Sequence, residues 1–178
     1  LWNQIVDAAA AESPLWQSCL RPGAGRGADP VFSPLVDSRF ALGLESIYEG
    51  YLAHYGQPRL FDPPDPDTAL LLGDYLYAHG LVRVAATGSV GAVLDLAELI
   101  SLCAQARAEG RPGDGEAWAA TAALLGRGAL ADARAALPER GDAGPLARAA
   151  VAAVGERPVA AALALHATLC EDTGRAVR

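Results

Sequence analysis

The chain has 178 residues, 52% of them apolar but only 6% aromatic, and carries a net charge of −7. That length suits one domain with a sizeable core. All 14 bases are arginine, which excludes Schiff-base catalysis and a lysine-dependent phosphate loop, and net acidity without a basic cluster argues against nucleic acid.

Alanine, the best helix former, is the commonest residue, and runs rich in Val, Ile, Thr and Tyr are absent, so an all-helical domain is the default. Residues 1–20 read as a short helix interrupted by Pro14, with Trp2, Ile5, Ala8 and Ala9 on one side. The Gly/Pro-rich connector at 21–34 cannot hold regular structure. From Leu35 the chain becomes periodic. Phe40, Leu44, Ile47, Tyr48, Tyr51 and Tyr55 recur at helical spacing, while Glu45, Ser46 and Glu49 fall elsewhere on the wheel. Gly56, with Pro58 beyond it, stops that helix.

The Asp62–Thr68 loop delivers Asp67 or Thr68 as N-cap. The following helix, over 69–87, is apolar nearly all round and is expected at the centre of the bundle. An ionised Asp74 within it needs a partner or a metal. Gly88 closes this helix, and Ser89 caps the next, over 90–109. A further alanine-rich helix is expected from Glu116 to Leu137, weakened by Gly126 and Gly128, followed by helices over 145–154 and 159–170. Cys19, Cys103 and Cys170 are far apart without CxxC spacing, which suits buried thiols in a reducing, cytoplasmic setting. No apolar run reaches the roughly 18 to 20 residues that span a bilayer.

Three segments follow one another in a telling order: Ile47-Tyr-Glu-Gly-Tyr-Leu-Ala-His54, Tyr55-Gly-Gln-Pro-Arg-Leu60 and Leu71-Leu-Gly-Asp-Tyr-Leu76. Ala104-Gln105 through Glu109 and Gly115-Glu-Ala-Trp118 come after them. Over about Leu35–Gly128 this layout resembles the first half of a trans-isoprenyl diphosphate synthase. In that family a helix with aspartates holds magnesium against an allylic diphosphate, a basic loop follows, and a GD-containing apolar helix comes next. The resemblance implies a shortened isoprenoid-synthase fold and a dimer.

The chain departs from the family at the chemistry. Glu49 is the one acid in the first motif, where Gly50 and Ala53 stand at aspartate positions. Arg59 is the single base in the loop, and the family's diphosphate-binding lysine has no counterpart. No second aspartate-rich motif precedes the lone pair Glu171–Asp172.

Six acids, Glu45, Glu49, Asp62, Asp65, Asp67 and Asp74, lie between residues 45 and 74, against Arg59 alone. A residual magnesium site would use Glu49 and Asp74, since magnesium binds through one or two carboxylates plus substrate phosphates. In the structural alternative Glu45 lies on a solvated face, the loop aspartates serve turns and a cap, and Asp74 accepts a core hydrogen bond; the scarcity of phosphate-binding bases favours it. His54 and His79, near the ends of neighbouring helices, pair as ligands or as acid and base, or are ordinary hydrogen-bonded residues. His166 and Cys170 share one face of the last helix, two ligands short of the usual four. Tyr48, Tyr51, Tyr55, Tyr75 and Tyr77 line a pocket for an apolar ligand with a polar end, or fill core volume.

The candidates for ligand or diphosphate binding are thus Glu49, Arg59, Asp74, Gln105, Tyr48, Tyr51, Tyr75, His54 and His79. The expected structure is a single all-α domain over residues 1–178, an antiparallel bundle of six to eight helices. The expected function is non-catalytic: a synthase-like partner subunit, in a homodimer or heteromer, or a binder of an isoprenoid or other apolar ligand. A magnesium-dependent transferase with an atypical site, magnesium being its cofactor, is one alternative. A helical protein-interaction adaptor is another.

Overall fold

The computed structural model describes residues 1–24 and 28–170. Nine α-helices dominate these residues: α1 (Trp2–Glu12), α2 (Pro14–Ser18), α3 (Ala41–Tyr55), α4 (Pro66–Ala85), α5 (Val90–Ala108), α6 (Asp114–Leu124), α7 (Ala131–Arg140), α8 (Gly144–Val154) and α9 (Glu156–Cys170). Short 3-10 turns at Ser33–Leu35 and Ser38–Phe40 lead into α3. Among the described residues the extended pairing is one isolated bridge, Leu20 with Phe61. The fold is all-α, with more helices than the six to eight expected.

Local chemistry sets the breaks. Pro14 sits in the first turn of α2, where its missing N–H costs nothing, and the Ser13 hydroxyl accepts from Leu15 N. The cap of α4 is Asp65 rather than Asp67 or Thr68: Pro66 is preorganised for the first helical position, so the carboxylate one residue earlier accepts from Thr68 N at 2.8 Å. Gly88, at φ +78°, ends the turn after α4, and Ser89 caps α5 through Ala92 N. The single helix expected over 116–137 is two helices. Gly126 and Gly128 adopt φ of +76° and +64°, a left-handed backbone that stops α6 and starts a turn.

The central helix is α3, not α4. Eleven of its 15 residues are buried, whereas α4 leaves Leu70, Leu71 and Val82 at 54%, 55% and 67% exposure. Apolar content alone does not decide which helix is surrounded; the two helices meet along a row of small residues that does. A methyl group on Gly80 would lie 2.8 Å from the Gly43 carbonyl oxygen, and one on Gly50 would lie 2.8 Å from that of Gly73. Gly43 therefore faces Gly80, and Gly50 faces Gly73, two contacts seven residues apart along antiparallel helices. With no side chain between them the backbones approach closely, and the bulkier positions of α4 turn outward.

The main core forms on the other sides of α3. It gathers Phe32, Tyr48 and Tyr51 with Leu96 and Leu99 of α5, Trp118 of α6, and Leu146 and Ala150 of α8. A second cluster, Ile5, Ala9, Cys19, Leu60, Phe61, Leu72 and Leu76, fills the space under α1. Buried Arg134 of α7 donates to Asp95 of α5 at 3.0 Å and contacts Glu98, while Asp95 also accepts from Gly126 N at 2.7 Å. No helix among the described residues is long and apolar enough to cross a membrane.

On an exposed helix, Gly→Ala gains about 1 kcal/mol. Gly80→Ala is expected to do the opposite, lowering stability by about 1–3 kcal/mol, because its new methyl overlaps backbone that cannot swing aside. Urea denaturation measures this; a gain would show that the α3–α4 approach is looser than described.

Candidate functional site

Glu45 and Glu49 are one helical turn apart on α3, and both are fully buried. Arg59, in the loop after α3, reaches back between them. Its Nε donates to Glu49 Oε2 at 3.0 Å, and its Nη2 lies 2.9 Å from Glu45 Oε2. The other carboxylate oxygens hold backbone: Glu49 Oε1 accepts from Leu60 N at 2.7 Å, and Glu45 Oε1 from Val31 N at 3.1 Å and Ser33 N at 3.0 Å. Nη1 of Arg59 donates to the Asp29 carbonyl, and the guanidinium lies 4.7 Å from the Trp2 ring and 5.1 Å from that of Tyr48. One cation thus ties α1, the 29–33 segment, α3 and the 57–61 loop together.

Burial pushes the Glu49 carboxyl above its usual range, with Arg59 opposing the shift. Burial would lower the Arg59 value too, but Glu45 and Glu49 outweigh it and hold the guanidinium charged. The expectation that Glu45 lies on a solvated face is therefore corrected: Arg59 supplies the partner that lets it be buried.

The Asp74 side chain is 68% exposed and lies 3.4 Å from Nε2 of His54 on α3, so it is a surface carboxylate rather than a core acceptor. Burial lowers the His54 value, partly offset by Asp74. His79 instead packs on Tyr75 in a tilted pair with 4.2 Å between ring centroids, and Tyr75 in turn meets Trp16. Gln105 is exposed and donates to Glu109 one turn on.

Magnesium does not fit these donors. Both oxygens of Glu49 are occupied by Arg59 and Leu60 N, Asp74 points to solvent, and no group of three His, Cys, Asp or Glu among the described residues is placed to hold a metal. The acidic pair Glu171–Asp172 lies outside the described residues.

Tyr48 and Tyr51 belong to a second polar cluster, at the junction of α3, α5, α6 and α9. Tyr51 OH donates to Asp114 Oδ2, and Arg107 Nε donates to the same oxygen at 2.7 Å. Arg107 Nη2 donates to the Tyr51 hydroxyl at 2.6 Å. His166 lies with Nδ1 2.9 Å from Tyr48 OH and Nε2 3.8 Å from Asp114 Oδ1, and Cys170 Sγ is 3.9 Å from Nδ1. Burial by itself would lower the His166 value; hydrogen bonding to Asp114 and Cys170 outweighs it and raises the imidazole to about 9. Asp114 goes the other way: burial opposes its charge, but His166, Tyr51 and Arg107 hold it well below the usual carboxylate range.

The sequence shows the Glu45, Glu49 and Arg59 types at suggestive spacing, two acids one turn apart and the only nearby base ten residues on. It contains no local sign of the second cluster, since Tyr48 and His166 are 118 residues apart.

An open groove of about 400 Å³ runs between residues 21–24 with Ala28 and the 57–60 loop, walled by Arg21, Gln57, Arg59, Leu60 and Leu169 among others. None of the five tyrosines lines it; Tyr48 and Tyr51 are fully buried in the core. Compared with family models, curated proteins and solved structures, the chain matches none.

Two outcomes follow. Arg59→Met is expected to cost about 3–5 kcal/mol in denaturant titrations, because it leaves two buried carboxylates uncompensated. Adding Glu45→Gln and Glu49→Gln should recover most of the loss, and a near-neutral Arg59→Met would contradict the clasp. For His166 the folded value lies above the ordinary 6.5, so its stabilisation is complete below that pH and is lost as pH rises through about 9. The melting temperature should fall over this window, and His166→Gln, facing the same Asp114, Tyr48, Tyr51 and Cys170, should flatten the fall.

Proposed function

We propose that the chain is a non-catalytic helical partner subunit that binds another protein through the outer faces of α4 and α5. The observation that carries this reading is the exposure of Leu70, Leu71, Val82, Val90 and Leu94, from 54% to 72%, on two consecutive helices joined by a short turn. Exposed apolar residues gathered on neighbouring helices are the kind of surface that protein contact covers. The reading also draws on the resemblance to isoprenyl diphosphate synthases: Glu49 and Arg59, at the positions matching that family's metal and diphosphate motifs, are engaged with each other and with Glu45.

Charge selects the occupant. The exposed arcs of the two helices include Asp67, Asp74 and Glu98 but no base. A second copy meeting this face would oppose acid to acid, whereas a different protein presenting apolar helices edged by Arg or Lys would be complementary.

The tagged full-length chain should co-purify through size exclusion with one protein at fixed stoichiometry, in a complex that weakens as salt rises. Leu71→Glu with Leu94→Glu should abolish that complex while leaving the far-ultraviolet circular dichroism unchanged. A complex indifferent to these substitutions contradicts the proposal, as does a symmetric homodimer that they disrupt.

A further inference from the structure

Uncompensated charge on the outer face of α4 and α5 is gathered at one end. Asp67 and Asp74 are two helical turns apart on α4, so they share one side of it with exposed Leu70 and Leu71 between them. From Ala85 through Leu94, across the turn into α5, the chain carries no charged residue. Val82, Val90 and Leu94 are exposed at that end. Glu98, the third acid of this face, already contacts Arg134 of α7.

The two aspartates lack a cation of their own. Asp67 makes no ion pair among the described residues. Asp74 has His54 of α3 beside it at 3.4 Å, but burial holds that imidazole below its ordinary 6.5, so it is neutral at pH 7. Arg83, the one arginine of α4, turns the other way: it donates to Ser46 Oγ of α3 at 2.6 Å and to the Gln4 carbonyl of α1. Tyr77 and Leu81 of α4 and Val93 and Ile100 of α5 are half-buried and carry the apolar surface inward to the core. Two packed helices offer no strand edge, so a partner engages them through side chains, the mode in which an amphipathic helix packs.

We propose that the partner presents to this face a single amphipathic α-helix, antiparallel to α4, with arginines or lysines in its last two turns over Asp67 and Asp74 and apolar side chains over Val82, Val90 and Leu94. Its direction follows from the charges. Cations are most favourable in the last turn of a helix, where backbone carbonyls are unpaired, and the first turn of α4 carries the opposite partial charge. A helix antiparallel to α4 meets both conditions at once. The proposal rests on the partner-subunit reading and adds to it the recognised element and its direction.

The test uses two fluorescein-labelled peptides of 20 residues, the length of α4, identical in composition. Each is a leucine and alanine amphipathic helix, one with three arginines in its last two turns and the other with three in its first two. Fluorescence anisotropy against the full chain at low ionic strength should show the first peptide binding about fivefold more tightly, a preference that shrinks as salt rises. Asp67→Asn with Asp74→Asn should remove the preference and leave both peptides bound through apolar contacts. Equal affinities for the unaltered chain, tighter binding of the second peptide, or failure of both to bind overturns the proposal. So does a preference that survives the double substitution, since it would come from peptide helicity alone. The two readings fail separately: a co-purified complex lost with Leu71→Glu and Leu94→Glu, beside peptides without preference, keeps the partner face and removes the directed helix.

Discussion

Two glutamates at zero exposure on the central helix require a cation, and Arg59 is the one that reaches them. Each buried carboxylate would otherwise carry a desolvation penalty of several kcal/mol. Neutralised, α3 can be enclosed on all sides, and the same guanidinium fixes α1, the 29–33 segment and the 57–61 loop around it. A buried ion pair is weak evidence for extra stability over an apolar core. What this one contributes is register: a single side chain specifies how four segments between residues 2 and 61 come together.

The close approach of α3 and α4 follows from the same requirement to enclose α3. Glycine pairs remove the side chains that would hold the helices apart, and α4 is left with one narrow inner face and a broad outer one. That outer face, with Leu70, Leu71, Val82, Asp67 and Asp74, is the one the proposed function assigns to a partner. The Tyr48–His166–Asp114–Arg107 cluster plays the corresponding part at the other side of α3, where it adds polar contacts to the apolar packing of Val159, Ala162, Leu163 and Leu169 of α9.

Much of the helical layout was legible. The period of Phe40 to Tyr55, the stop at Gly56 and the Gly88–Ser89 break mark α3, α4 and α5 to within a few residues. The centre of the bundle was not. Leu70, Leu71 and Val82 make α4 look buried all round, because composition counts apolar residues without saying which neighbours cover them. Glycines at 43 and 50, and at 73 and 80, carry the contact, but their meaning depends on knowing which helices are paired. Asp74 was misplaced for the same reason. Glu49 and Arg59 stand in the sequence as separate candidates for a metal and diphosphate site, and their roles turn on burial: the residues that suggest such a site are the ones that neutralise each other. Tyr48 and Tyr51 belong to a visible concentration of five tyrosines, while His166, Asp114 and Arg107 join them only through tertiary contacts too distant in sequence to read.

The central claim is that the acids of α3 are structural and closed to ligands. It is tested most directly by following the carboxyl carbon resonances of Glu45 and Glu49 in the folded, isotope-labelled chain as magnesium and an allylic diphosphate are added. The account predicts that both resonances stay in place while the fold is intact, because Arg59 and the backbone amides of Val31, Ser33 and Leu60 already occupy their oxygens. A saturable shift of either carboxylate with magnesium would contradict it.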